Sequence, residues 1–304
     1  MRSARWSKVS LVVLALGLLV GVQARSEALP AIQNVLGVYN GFSHSSLAGG
    51  RSGELQIVID RQTGRRLWGN VTSPGELLPA VMPIQGTISG NGEFELSGRT
   101  GSPRAGDGSV RLLCDGSVRS LGDGSARVMA GYRTWLNPGP PSLPGTAASI
   151  GSGPPIRDRG RLLLLRDFGL RQAESVLGTW MQPGPPNDDG STGLPAVQLG
   201  VTEQDGSFFR GRLTLGDSPV GANPGPPIVE FDVVGTVGIG GDPAIAPTGA
   251  PIHLIGLGPE GWFLGDGTVQ KPPSPNLPAV QCQYQIMLFD GTRSDGTFEL
   301  VPAV

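Results

Sequence analysis

The stretch from Glu54 to Val71 reads ELQIVIDRQTGRRLWGNV. Leu55, Ile57 and Ile59 alternate with polar neighbours. A polar turn with Gly64 follows, and Leu67, Gly69 and Val71 resume the alternation. A period of two, a reversal and a period of two again is how a β-hairpin with one buried face is written. The phrase recurs in the second half of the chain as Val197, Leu199, Val201, Gly206, Phe209, Gly211 and Leu213, with every spacing kept. Alternation alone would not reproduce both the turn glycine and the second glycine. The chain therefore reads as two copies of one β-rich unit.

The flanks agree. The first copy opens with Val35-Leu36-Gly37-Val38-Tyr39 and the second with Val176-Leu177-Gly178-Thr179-Trp180. A later strand ends in Gly86-Thr87-Ile88 in one and Gly235-Thr236-Val237 in the other, and Asn91-Gly92 marks a hairpin. The closing strands share a glycine and two apolar residues at alternate positions, over Gly160 to Leu164 and Gly296 to Leu300. Asp107-Gly108, Asp115-Gly116 and Asp123-Gly124 recur at a regular interval and predict type I′ turns between six-residue strands. Calcium loops are the alternative for these pairs, but each offers one carboxylate where calcium needs several converging oxygens.

Residues 1–24 read as a signal peptide, 25–34 as a lead-in and 35–167 as the first unit, with a Pro/Gly-rich loop over 137–155. A linker over 168–175 and a second unit over 176–304 complete the division. Residues 161–177 are the one later place where a helical turn competes with a strand. The expected fold is all-β: two tandem antiparallel meander units of roughly eight strands each, up-and-down β-barrel-like, with a β-sandwich as the alternative.

Gly178 to Trp180, Gly206 to Phe208 and Gly235-Thr236 carry a resemblance. In these phrases each repeat resembles the lipocalin-like and avidin-like (calycin) β-barrels. The resemblance implies a secreted, eight-stranded antiparallel barrel that binds a small ligand in its mouth. The first copy departs from it at Tyr39, where a tryptophan would stand. The residues of an avidin biotin site have no match, so biotin binding does not follow.

Arg2, Arg5 and Lys8 precede an apolar run from Leu11 to Val22, and Val22-Gln23-Ala24 offers a cleavage site. The run is short for a membrane span of about 20 residues. These features predict export to the periplasm or outside the cell, with no transmembrane segment after cleavage. A barrel in the outer membrane is the weaker alternative, since the strands lack aromatic girdles and a sustained lipid-facing alternation. The formal charge of −2 and the absence of a Lys/Arg cluster argue against nucleic acid as a partner. The 49 glycines and 28 prolines fall largely at turns and in loops rather than in one low-complexity tract.

Strand-borne aromatics supply the candidate ligand-binding residues: Tyr39, Trp68, Tyr132, Trp180, Trp262 and Tyr284. Inward-pointing rings would line a pocket; alternatively, they plug the core. Export permits a disulfide between Cys114 and Cys282, with two separate buried thiols as the other arrangement. Two cysteines and two histidines far apart in the chain give no metal-site spacing, and no cofactor motif is present. No catalytic constellation stands out. His44 lies in a serine-rich loop without an identifiable carboxylate partner, and His253 stands at a strand start. Glu203, Asp205, Asp188 and Asp189 occupy turn-like positions where solvated acids are usual. The expected function is an exported binding or structural module for an unknown small ligand or protein partner, with a pocket in each barrel mouth. The alternatives are a secreted hydrolase using loop carboxylates, and a partner-binding protein using proline-rich loops such as Pro138 to Pro144.

Overall fold

A computed structural model describes residues 32–46, 52–73, 81–100, 109–137, 156–170, 173–182, 197–216, 229–239, 249–270 and 278–303. The segment read as a signal peptide, the 138–155 part of the proline loop, Asp107-Gly108 and Asp188-Asp189 lie outside these residues. Barrel 1 is built from β1 (Gly37–Ser45), β2 (Ser52–Thr63), β3 (Arg66–Thr72), β4 (Met82–Ile88), β5 (Glu93–Thr100), β6 (Ser109–Ser120), β7 (Ala126–Asn137) and β8 (Ile156–Arg166). Barrel 2 is built from β9 (Gly178–Met181), β10 (Val197–Asp205), β11 (Phe208–Leu215), β12 (Val229–Val237), β13 (Ala250–Leu257), β14 (Gly261–Gln270), β15 (Ala279–Leu288) and β16 (Arg293–Pro302).

Each set is an antiparallel meander that closes on itself, β8 pairing with β1 and β16 with β9. The seam is long in barrel 1, where β1 and β8 pair from Tyr39↔Arg166 to Ser45↔Gly160, and short in barrel 2, where β9 meets β16 at Val301 and Pro302. Closure excludes the sandwich alternative. Residues 156–166 form strand β8, not a helical turn.

The two hairpins match in detail. Gly64 and Gly206 hold φ of 56° and 57° at their turns, a conformation that costs glycine little. Both hairpins carry a bulge, between Ile59 and Arg61 in one and Val201 and Glu203 in the other. The second glycine has its own reason. A Cβ on Gly69 would lie 1.9 Å from the Val58 carbonyl oxygen, and one on Gly211 would lie 2.1 Å from that of Gly200. The backbones beside each bulge approach too closely for any side chain.

The regular Asp-Gly spacing misleads. Asp123-Gly124 lies in the turn between β6 and β7, but Asp115-Gly116 is inside β6. β6 and β7 pair without a break from Ser109↔Asn137 to Ser120↔Ala126, twice the expected strand length. Gly116 serves packing instead: a Cβ there would lie 2.3 Å from the Met129 carbonyl oxygen.

Three apolar cores organise the molecule. Leu55, Ile57, Leu67, Val71, Leu162 and Leu164 belong to the interior of barrel 1. Leu199, Phe209, Phe231, Ile252, Leu254 and Phe263 belong to that of barrel 2. The third core lies between the barrels: Phe42, Leu163 and Leu165 from barrel 1 meet Val234, Ile255, Trp262 and Leu264 from barrel 2. The run Leu162-Leu163-Leu164-Leu165 therefore feeds two cores from one strand, alternate residues pointing into and out of barrel 1. A strand buried on both faces reads as a continuous apolar run.

The connection between the units is tied to barrel 2. Ser207 N donates to the Leu170 carbonyl at 3.0 Å, Leu170 N donates to Ser207 Oγ at 3.3 Å, and the Ser207 hydroxyl donates to Asp167. Leu165 points away from its own barrel yet has 0 % exposure. Leu165→Ala is expected to cost about 2–5 kcal/mol in urea unfolding, the range of an interior leucine. Met129→Ala, at an outward position that is 45 % exposed, is expected to stay within about 0.5 kcal/mol.

Candidate functional site

The six candidate aromatics are not gathered in one place. Tyr39 and Trp180 close the ends of their barrels. The Tyr39 hydroxyl donates to the Val35 carbonyl at 2.9 Å, and Trp180 Nε1 donates to the Val176 carbonyl at 2.8 Å. A glutamine completes each latch. Gln62 Oε1 accepts from Val35 N and Gln62 Nε2 donates to the Gln33 and Gly64 carbonyls. Gln204 does the same with Val176 N and the Glu174 and Gly206 carbonyls. Different aromatics thus satisfy the same backbone group in the two copies, each presenting an apolar body and one polar handle.

Trp68 faces outward on β3, with the Arg61 guanidinium 4.2 Å from its ring. Trp262 belongs to the core between the barrels. Tyr132 and Tyr284 point inward at equivalent positions, each opposite a glycine of the closing strand, Gly160 and Gly296. Each ring covers its glycine: a Cβ on Gly160 would lie 2.6 Å from Tyr132, and one on Gly296 would lie 2.7 Å from Tyr284.

Around these tyrosines the interiors differ. In barrel 2, Tyr284 stacks between Phe263 and Phe298, with ring centroids 5.8 and 5.7 Å away, and Phe231 packs on Phe263. These rings plug the core. In barrel 1, the Tyr132 hydroxyl donates to Asp158 at 3.0 Å, and Asp158 also accepts from Ser45 Oγ and Arg159 N. Burial, with the charge of Asp158, pushes the Tyr132 phenol well above its usual range. The cavity beside this network measures about 30 Å³. That is room for about two waters.

Among the described residues, two further hollows lie between the barrels. A groove of about 550 Å³ is lined by Phe42, His44, Ser52 and Glu54 of barrel 1 and by Glu203, Arg210, Arg212, Glu230, Asp232 and Leu257 of barrel 2. Its arginines stand at alternate positions of β11, so both project from the outer face. Arg210 lies 3.1 Å from Glu54, across the barrel boundary, and 3.6 Å from Glu203. Arg212 lies 3.7 Å from Glu230 and 3.6 Å from Asp232. Glu203 and Asp205 are strand residues of β10, not turn residues, because β10 runs on past its bulge to Asp205. A second hollow of about 270 Å³, lined by Met129, Leu163, Trp262 and Met287, is more apolar.

Both histidines sit at the barrel boundary. His44 stacks on Phe289 with ring centroids 3.7 Å apart, and its Nδ1 lies 2.7 Å from Ser52 Oγ. Burial holds its pKa below 6.5 against the pull of Asp158. His253 is not at a strand start but inside β13, opposite Asp266 of β14. It stands on the outer face of barrel 2, and barrel 1 covers it. Its Nδ1 lies 2.7 Å from Asp266, its Nε2 lies 2.6 Å from Asp123 of barrel 1, and Arg127 of barrel 1 grips Asp266 through both terminal nitrogens. A histidine within the apolar run Pro251 to Leu257 was the one signal in the sequence for this site.

Cys114 and Cys282 are free and buried, and the cross-copy disulfide is not formed. Each thiol belongs to the interior core of its own barrel, so two barrel walls separate them. Burial pushes both thiols up to about 12. Comparison with known protein families and with curated proteins gives no match. The fold and its hollows define the class: a tandem pair of closed eight-stranded meander barrels joined side by side.

Among the described residues, no group of three or more His, Cys, Asp or Glu side chains could hold a metal ion. Alkylation with iodoacetamide under non-reducing conditions checks the thiols. The native protein is expected to react at least tenfold more slowly than the unfolded chain, because the thiolate is the nucleophile and burial suppresses it. Two labels per unfolded chain are expected; a chain that takes none holds a disulfide.

Proposed function

We propose that this protein is an exported binding module without catalytic activity, and that its ligand site is the groove between its barrels rather than the barrel mouths. The observation that carries the reading is the groove itself. Its volume of about 550 Å³ falls within the usual range for ligand pockets, about 300–1,000 Å³. Among the described residues, the hollow inside barrel 1 beside Tyr132 and Asp158 measures about 30 Å³. The barrel 2 interior is occupied by its own aromatic stack.

The lining points to the ligand class. Arg210 and Arg212 alternate with Glu54, Glu203, Glu230 and Asp232 over a partly apolar floor. The side chains of these pairs are 40–71 % exposed, Arg210 and Glu54 the least. Solvated pairs contribute only about 0–1 kcal/mol each, so a ligand that brings its own charges exchanges with them at little cost. A peptide segment with both basic and acidic side chains fits this alternation. Paired carboxylates beside guanidinium groups suit recognition better than proton transfer.

Titration with a pool of short peptides containing both lysine and glutamate, followed by amide exchange, tests the reading. Protection is expected at β2, β11 and β12, and Arg210→Ala with Arg212→Ala is expected to weaken binding at least tenfold. No binding, or protection confined to the loop end of barrel 1 around Tyr132 and Asp158, contradicts it.

One observation favours a second reading, a hydrolase. His44 Nδ1 lies 2.7 Å from Ser52 Oγ inside the same groove, and the low pKa of His44 leaves it free to accept a proton. Labelling of Ser52 by a fluorophosphonate probe, abolished in His44→Gln, supports that reading; no label removes it.

A further inference from the structure

We propose that His253 is a proton-operated clamp between the two barrels: as an imidazolium it ties Asp123 of barrel 1 to Asp266 of barrel 2, and loss of one proton releases the Asp123 turn. The geometry requires the charged ring. Both nitrogens lie within 2.7 Å of a carboxylate oxygen. A neutral imidazole has one N–H, so it would turn a lone pair toward one of the two carboxylates.

The surroundings say which contact yields. Asp266 stands directly opposite His253 on the neighbouring strand and is also held by Arg127 at 2.7 and 3.2 Å. Asp123 lies in the short connection between β6 and β7, where, among the described residues, Ser125 is its other partner. The turn moves more easily than the strand.

The groups facing His253 are accounted for from each side. They are Asp266 on β14, Asp123 on the barrel 1 turn and Arg127 on β7, which acts through Asp266. Thr236 on β12 and the Phe168 ring of the connection are uncharged neighbours. The ring is only 6 % exposed, so water screens these charges little.

The titration follows. Burial alone lowers the His253 pKa, but its bonds to the two carboxylates and their charges outweigh it and raise the pKa above 6.5. Burial likewise raises Asp123, and bonds from His253 and Ser125 outweigh that and hold it at about 2. A histidine raised by folding stabilises fully below its unfolded pKa of 6.5 and loses that contribution as pH rises through the folded pKa. The carboxylates stay charged throughout this window. His44 is shifted the other way and titrates below it, and the thiols ionise only above it.

Amide exchange of the full chain at pH 6.0 and 8.5, compared as protection factors, tests the clamp alongside the NMR titration of the His253 ring. The ring midpoint is expected above 6.5. Protection over residues 121–126 is expected to fall by up to about tenfold for each pH unit that the folded midpoint lies above 6.5, until pH 8.5 is reached. His253→Gln is expected to show no such dependence between the two pH values. Asp123→Asn keeps the Asp266 and Arg127 contacts and is likewise expected to be flat, and it serves if His253→Gln does not fold. A ring midpoint at or below 6.5, equal protection at both pH values in the unaltered chain, or an undiminished dependence in either variant overturns the proposal.

Discussion

The side-by-side packing of the barrels depends on a strip of apolar side chains that point out of them. A closed barrel satisfies its own backbone and has no edge to hide. Its outer face is normally polar. Here Phe42, Leu163 and Leu165 leave barrel 1, and Val234, Ile255, Trp262 and Leu264 leave barrel 2, all nearly without solvent contact. Burying one such side chain contributes roughly 1.5–3 kcal/mol. Exposing the whole strip would cost more than a typical domain can spare. Side-by-side packing therefore follows from the sequence of five strands, β1, β8, β12, β13 and β14, and the features at the boundary follow from the packing. The polar groove lies along the strip's margin, and the His253 cluster lies at another part of the boundary, where both barrels contribute an acid and a base.

The two copies kept their closing device and changed their interiors. Each barrel seals one end with an aromatic bonded to a carbonyl four residues earlier and a glutamine across it. Each also lays an inward tyrosine over a glycine of its last strand. Beyond these points barrel 1 carries a buried carboxylate network and barrel 2 a stack of phenyl rings. The side chains inside barrel 2 leave a ring stack at its centre, and those inside barrel 1 surround a hollow of about 30 Å³.

Much of the architecture was legible because strand periodicity and turn chemistry are local. The hairpin from Leu55 to Val71, its copy and the turns at Gly64, Gly92 and Gly206 were readable from spacing alone. Asp115-Gly116 was misread because the dipeptide is compatible with a turn but does not require one; the unbroken pairing of β6 with β7 overrode it. Leu162 to Leu165 was ambiguous for another reason. A run buried on both faces loses its period, and without the period strand and helix look alike. Trp68 and Trp262 sit on strands as expected, but a strand's pattern does not say whether a large ring faces in or out when both faces can be covered. Apart from a histidine within the apolar run Pro251 to Leu257, nothing local pointed to the cluster of His253, Asp123, Arg127 and Asp266. The Asp123–His253 and Arg127–Asp266 contacts cross between the barrels, 130 and 139 residues apart in the chain.

Scanning calorimetry of the full chain addresses the central claim, that the outward apolar strip makes the two barrels one cooperative body. A single transition is predicted, with calorimetric and van't Hoff enthalpies that agree, because unfolding either barrel exposes the shared core of the other. Two resolved transitions, each carrying about half the enthalpy, would contradict it: the barrels would then be independent units that merely touch.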